Sequence, residues 1–265
     1  MMNYSSTKLC FAGALGLASI LAFGSVAKAD SYDYSWSTPG SNVVTNDAAG
    51  SFNSIHSTYD SSSQNLSWSA NFTAGTNANA LPNAFTLVLS NGPNPKGTAG
   101  QLAIFYLDAS SGAPVLTAYG YNGQNATDSW TNPNPADTIA SSKLDTSWIH
   151  SLTYKTEANG SKTLGFDINA TAINSHVSPY TPAGSTWQGA AYGSNIGIWF
   201  HDYDNLQTTY SNGYLTSFNP GVQGWYDTNN QSTTSVTPEA SSLLLLGFGL
   251  AGLAPVALLR RRKSK

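Results

Sequence analysis

Residues 148–174, WIHSLTYKTEANGSKTLGFDINATAIN, contain the clearest folding signal in the chain. Apolar and aromatic side chains recur there at every second position, first Trp148, His150, Leu152 and Tyr154, and then Leu164, Phe166 and Ile168. This period of two is typical of a β-strand with one face turned to a core. Asn159-Gly160 separates the two runs, and this dipeptide favours a tight hairpin turn. The stretch therefore predicts a β-hairpin.

The same alternation continues on both sides of this hairpin. In NLSWSANFT, residues 65–73, Leu66, Trp68, Ala70 and Phe72 share one face, and AFTLVLS and QLAIFYLD read as further strands. QLAIFYLD, residues 101–108, is apolar on both faces, as expected of a central strand. Residues 30–238 contain no long helix-period stretch. We therefore predict an all-β fold, a single β-sandwich over residues 30–230.

The tryptophan-led hairpin resembles one that is common in concanavalin A-like lectin and glucanase sandwiches. The strands AFTLVLSNG and GQLAIFYLDAS are compatible with that family over about residues 50–226. The resemblance implies a jelly-roll sandwich, although alternating strands also occur in other all-β sandwiches.

Residues 1–29 read as a signal peptide. Lys8 supplies the positive start, an apolar run follows, and Ala27-Lys28-Ala29 forms a small-x-small cleavage site before Asp30. The single cysteine, Cys10, lies inside this segment, so the exported part would contain no disulfide. An uncleaved N-terminal anchor is the alternative.

Residues 30–238 contain four lysines, no arginine and thirteen carboxylates, a formal charge of −9. Such an acidic surface repels phosphate backbones, which argues against nucleic acid as a partner. Ser, Thr, Asn, Gly and aromatic residues make up much of the remainder. This composition suits neutral partners, a polysaccharide above all.

The C-terminal segment has three parts in a fixed order. Thr237-Pro238-Glu239-Ala240 precedes the uncharged run 243–259, and the basic residues Arg260, Arg261, Arg262 and Lys263 follow. A helix of that length reaches roughly 25 Å, against a hydrocarbon core of roughly 30 Å, so it would be a poor permanent anchor. The basic residues would stay cytoplasmic and halt transfer.

This ending resembles the PEP-CTERM sorting signal, which implies recognition by an exosortase-type membrane protease after transient membrane insertion. Residues 231–240 would be a Ser/Thr-rich spacer carrying Pro238, Glu239 and Ala240, and residues 241–265 the sorting signal with its apolar helix. Ala240 stands where the family usually has a second proline. A plain C-terminal anchor is the alternative.

A glucanase would need two carboxylates flanking the scissile bond. Before residue 239 the exported part contains one glutamate, Glu157, beside the Asn159-Gly160 turn. Serines and histidines are present, but no G-x-S-x-G pattern supports a serine hydrolase. We therefore identify no catalytic residue, and a polysaccharide-active hydrolase is the alternative to a non-enzymatic role.

FHDYDNLQ, residues 200–207, is the densest cluster of oxygen ligands. Asp202, Asp204 and Asn205 are expected in a loop after the strand NIGIWF, where they could hold Ca²⁺. The alternative is that these side chains only solvate and turn the chain.

Three tryptophans, Trp68, Trp148 and Trp199, are predicted to lie on strands and pack into the core or on a sheet face. Loop-like contexts instead surround Trp130, Trp187, Trp225, Tyr180 and Tyr226. Flat aromatic side chains among amides suit stacking on sugar rings, so these five are the predicted glycan-binding residues. The sequence thus predicts an exported bacterial surface or matrix protein that is structural or binds glycan.

Overall fold

The computed structural model describes residues 30–36, 43–131 and 136–236, and nearly all regular structure in these ranges is β-strand. One sheet has six strands, in the spatial order β15 (Thr234–Val236), β1 (Ser31–Trp36), β3 (Ser51–Asp60), β4 (Asn65–Thr73), β10 (Lys162–Asn169) and β9 (Ile149–Thr156). A second sheet has seven, in the order β2 (Val43–Asn46), β14 (Val222–Ser232), β11 (Asn195–Asp204), β5 (Ala84–Ser90), β6 (Ala99–Asp108), β7 (Val115–Asn122) and β8 (Thr138–Ser141). The expected all-β architecture is confirmed.

Three smaller elements complete the described chain. Strands β12 (Gln207–Ser211) and β13 (Tyr214–Asn219) form a two-stranded ribbon, and α1 (Ala126–Ser129) and α2 (Thr171–Asn174) are single helical turns. All pairings between the strands named here are antiparallel.

The two large sheets bury their facing side chains in one common core. The four alternating residues of β4 are 0–1% exposed, as the sequence predicts, and they are Leu66, Trp68, Ala70 and Phe72. Phe200 of β11 lies at the centre, with ring centroids 5.5 Å from Trp68 and 5.1 Å from Phe85. Burial of these aromatic side chains from both sheets holds the sheets together.

Strands β5 and β6 are covered on both faces, which confirms the prediction for QLAIFYLD. Their second face packs under α1 and the β12–β13 ribbon. Phe218 of the ribbon lies 5.5 Å from Tyr106 and 5.1 Å from Tyr203, measured between ring centroids. α1 and the ribbon do not cover the part of this face formed by β2, β14 and β11 to the same extent, since Val44 of β2 is 59% exposed to solvent.

The predicted hairpin is present as β9 and β10, joined by a turn at Asn159-Gly160. Its N-terminal part differs from the prediction, because Ile168 pairs with Ile149 whereas Asp167 pairs with Ser151. His150 is therefore the extra residue of a β-bulge and is exposed. Ile149, rather than His150, packs against the core.

The two ends of the described chain run side by side through both sheets. Strand β1 pairs with β15 in one sheet, and β2 pairs with β14 in the other. The predicted spacer therefore begins too early, since residues 231–232 and 234–236 belong to β14 and β15. The sequence did not predict these strands because it is rich in hydroxyl side chains there and lacks an apolar alternation.

The predicted signal peptide, residues 1–29, and the motif and sorting signal, residues 237–265, lie outside the described residues. Among the residues that are described, no helix has the length and apolar character needed to cross a membrane.

Candidate functional site: the open face of the seven-stranded sheet

The outer face of β2, β14 and β11, here called the open face, presents two cross-strand rows. The strand registers align Asn46, Trp225 and His201 in one row, and Val44, Asp227 and Trp199 in the other. These side chains point outward because their neighbours Phe200 and Tyr226, both 0% exposed, occupy the inward positions. Three distant parts of the sequence thereby meet on one surface.

Four rings follow one another across this surface and form the aromatic row, Trp225, His201, Trp199 and Tyr121. The His201 ring lies 6.0 Å from Trp225 and 4.6 Å from Trp199, and Trp199 lies 5.3 Å from Tyr121, all between centroids. Trp199 and Tyr121 are buried, whereas Trp225 and His201 are half-buried. The accessible part of the row is therefore an indole next to an imidazole.

His201 is held in its neutral form. Burial, together with a smaller effect of the positive charge of Lys96, lowers the pKa of its imidazole to about 4. A neutral imidazole offers one hydrogen-bond donor and one acceptor without attracting ions. At neutral pH this part of the open face is therefore suited to hydroxyl groups.

Asp227 is the carboxyl group of the open face, and it is 8% exposed. Burial raises its pKa to about 6, although Lys96 lowers it in part. Its Oδ1 atom is buried and has no hydrogen-bond partner among the described residues. The carboxylate also raises the pKa of Tyr121, whose value of about 12 is mainly due to burial. Asp227 therefore gives the open face a largely buried carboxyl group with one unpartnered oxygen.

A second surface, here called the polar groove, lies on the six-stranded sheet beside the Asn159-Gly160 turn, with a volume of about 540 Å³. Asn53 donates to Asn71 at 2.8 Å, and Asn71 donates to Thr163 at 2.9 Å. Glu157 accepts from Thr163 at 3.0 Å and from Lys155 at 2.6 Å. Because these groups satisfy one another, a ligand would have to displace existing hydrogen bonds.

The five predicted glycan-binding aromatic residues differ in their position and exposure. Trp225 and Tyr226 lie on β14 rather than in a loop, because the chain there pairs with both β11 and β2. Trp225 belongs to the aromatic row. Tyr226 points inward and is 0% exposed, and its hydroxyl oxygen lies 2.6 Å from that of Tyr34. It therefore cannot stack on a sugar.

The other three lie in loops or at a helix end, as predicted. Trp130 follows α1 and donates its ring N–H to the Thr127 carbonyl at 3.0 Å, and Trp187 donates to the Ile173 carbonyl at 2.9 Å. Both rings are half-buried against core residues. Tyr180 is half-buried in the loop that passes over Gly100. The structure does not assemble these residues into one platform with Trp225.

Trp68 and Trp199 are confirmed as strand residues, and both are 1% exposed. Trp148 packs into the core at 9% exposed, immediately before β9.

The three predicted Ca²⁺ ligands are not in one loop. Asp202 and Asp204 belong to β11, and Asn205 follows in a left-handed conformation with φ of 58°. The side chain of Asp202 is fully buried, Asp204 is half-buried and Asn205 is exposed. Within the described ranges, no group of three or more His, Cys, Asp or Glu side chains could hold a metal ion. The three-residue site remains a prediction.

Sequence reasoning missed Asp227 as a member of this surface. Trp225 and Asp227 are two residues apart, so they share one face of any strand that contains both. This spacing could have indicated that they belong to the same surface. Gly221, Gly224 and Asn229-Asn230 around them instead suggested a loop.

A scan of protein-family models, a search of curated proteins and a search of solved structures each give no match to this chain.

Proposed function

We propose that this chain is an exported bacterial surface or matrix protein that binds neutral polysaccharide through the open face. The observation that carries the proposal is the aromatic row, in which half-buried Trp225 and His201 lie beside the carboxyl of Asp227. An aromatic face packs on the C–H surface of a sugar, and a carboxylate accepts from its hydroxyl groups. Exposed Gln223 adds an amide at the rim.

The proposal includes the finer fold, a jelly-roll of the concanavalin A-like kind. The pairing of β1 with β15 and of β2 with β14 supports it, because a jelly-roll wraps paired terminal segments through two sheets. Export and removal of the C-terminal segment by an exosortase-type protease rest on the sequence motifs alone.

Native gel electrophoresis with an embedded neutral polysaccharide tests the binding. We expect retardation of the purified full chain without release of sugar, and a loss of affinity of at least about tenfold for Trp225→Ala, which corresponds to about 1.4 kcal/mol. Circular dichroism establishes that the variant is folded.

Asn53→Ala is the matched control, because Asn53 is exposed in the polar groove. It should bind like the unaltered chain. Loss of binding in Asn53→Ala alone would assign binding to the polar groove, and a full chain that binds no glycan across an array would refute the proposal.

The raised pKa of Asp227 favours a second candidate, a polysaccharide hydrolase, because a carboxyl with a pKa of about 6 suits a general acid. Such an enzyme needs a second carboxylate within roughly 5–10 Å. Asp227 is the one carboxyl in the two cross-strand rows of the open face, so we favour binding over hydrolysis. Formation of reducing ends that Asp227→Asn abolishes would establish this candidate in place of simple binding.

A further inference from the structure

Strands β2, β14 and β11 also meet at one end of the inner face, where acidic side chains flank a glycine. Asp202 of β11 pairs with Gly224 of β14. Asn46 ends β2 opposite Trp225, so the next residue, Asp47, continues the register toward the other side of Gly224. A carboxyl group and a backbone carbonyl, distant in sequence, therefore approach the same glycine, and Asp47 directly follows that carbonyl along the chain.

Three carboxylate oxygens in this cluster are buried without hydrogen-bond partners. They are both side-chain oxygens of Asp202, a residue that is 0% exposed, and Oδ1 of Asp47. No donor from another described residue forms a hydrogen bond with them. An unpaired buried carboxylate costs several kcal/mol, so it requires a proton or a cation.

Because Gly224 has no side chain, an oxygen of Asp202 and the carbonyl oxygen of Asn46 can both lie close to its backbone. A Cβ atom at this position would lie 2.4 Å from Oδ1 of Asp202 and 2.7 Å from the carbonyl oxygen of Asn46. Any larger residue would clash with these atoms. A carboxylate and a backbone carbonyl thus lie close together beside Gly224, and oxygen ligands of these two kinds are typical of a hard-cation site.

We propose that Asp202, Asp47 and the carbonyl oxygen of Asn46 form a buried Ca²⁺ site over Gly224. The double positive charge balances the two carboxylates, and the mixture of carboxylate and carbonyl ligands suits the flexible coordination of Ca²⁺ better than the strict octahedron of Mg²⁺. The site retains Asp202 from the sequence-based prediction and replaces Asp204 and Asn205. It does not depend on glycan binding.

A proton is the competing occupant. Burial raises the pKa of Asp202 well above its usual range, its own backbone N–H opposes this in part, and the charge of Asp47 raises the pKa further. The experiment must therefore separate cation binding from protonation.

Thermal unfolding of the purified full chain, freed of metal and measured in EDTA, Ca²⁺ and Mg²⁺, makes this separation. We expect Ca²⁺ at a hundredfold excess over Kd to raise Tm by roughly 5–8 °C and Mg²⁺ to raise it less. Tb³⁺ should show luminescence sensitised by the neighbouring rings of Trp225 and Tyr226, and Ca²⁺ should quench it by displacement.

Asp202→Asn and Asp47→Asn should abolish both the Ca²⁺ shift and the Tb³⁺ signal. Asp47 is half-buried at the end of β2, so its variant should fold even where Asp202→Asn does not. Asp204→Asn, two residues further along the same strand, is the matched control and should retain both.

Equal shifts in Ca²⁺ and Mg²⁺, or none, would overturn the site and leave a proton as the occupant at Asp202. Loss of the Ca²⁺ effect in Asp204→Asn but not in Asp47→Asn would replace it by the site predicted from sequence.

Discussion

Asp227 and Asp60 have the same side chain, but their surroundings move its pKa in opposite directions. Asp227 is buried with an unpartnered oxygen, and burial raises its pKa to about 6. Asp60 accepts hydrogen bonds from the backbone N–H of Ser63 at 2.8 Å and from the hydroxyl of Ser62 at 2.7 Å, and these lower its pKa. Burial at Asp227 and hydrogen-bond donors at Asp60 therefore decide the sign of each pKa shift.

Replacing Asp227 with asparagine should stabilise the protein at neutral pH. The folded state holds the proton more tightly than the unfolded state, so the free energy of unfolding falls as pH rises from about 4 through 6. Asp227→Asn should remove a penalty of up to about 3 kcal/mol above pH 7 and have no such effect below pH 4. Urea unfolding at pH 4 and pH 8 measures the difference.

Asp60→Asn is the control with the opposite sign. Its lowered pKa means that the carboxylate contributes stability above the unfolded pKa, and that this contribution is lost as the pH falls through the folded pKa. Asp60→Asn should therefore be less stable than the unaltered chain at pH 8. Equal stability changes for the two variants at pH 8 would contradict the assignment.

In the β9–β10 hairpin, two glycines are required for different reasons. Gly160 in the turn has a φ of +83°, and a Cβ there would meet nothing within 4 Å. Gly165 pairs with Ser69 of β4, and its Cβ would lie 2.4 Å from the Trp68 carbonyl oxygen. The first position needs a left-handed backbone, whereas the second needs the absence of a side chain.

Gly165→Ala should therefore destabilise the protein more than Gly160→Ala. An alanine at the turn carries the left-handed penalty of about 1–2 kcal/mol. An alanine in β10 must move the backbone of β4, which cannot yield as a flexible side chain can, so we expect about 3 kcal/mol or more. Urea denaturation of both variants measures this. Similar decreases in the free energy of unfolding would mean that β4 and β10 can move apart with little loss of stability.

Across the whole molecule, charge is distributed unevenly along the chain. Residues 30–238 are acidic, whereas residues 260–265 contain Arg260, Arg261, Arg262 and two lysines. The last described strand, β15, ends at Val236 on the edge of the six-stranded sheet, immediately before Thr237-Pro238-Glu239-Ala240. A protease that acts at this motif would therefore find it next to the folded domain, without the long spacer that the sequence predicts.

If an exosortase-type protease processes the chain, replacing Pro238-Glu239 by two alanines should leave an uncleaved, membrane-held precursor. Replacing the adjacent Ser241-Ser242 by two alanines is the matched control and should not affect release. Intact-mass spectrometry of the membrane and released fractions measures both. Released, unaltered protein that retains residues 243–265 would refute the sorting signal.

The amino-acid sequence by itself determined the all-β character of the chain, the inward face of β4 and the position of the hairpin turn. Alternation placed Leu66, Trp68, Ala70 and Phe72 in the core, and Asn159-Gly160 located the hairpin turn. These features are local, because a period of two and a turn dipeptide act within a few residues.

Only the tertiary structure decided which strands are neighbours, and the candidate sites depend on that choice. Asp227 meets Trp199 and Asp202 meets Gly224 because β14 pairs with β11, and no local pattern specifies this partner. The bulge at His150 and the inward position of Tyr226 also follow from pairing and packing. Alternation specifies the face of a side chain, whereas hydrogen bonding between strands far apart in the sequence specifies what it touches.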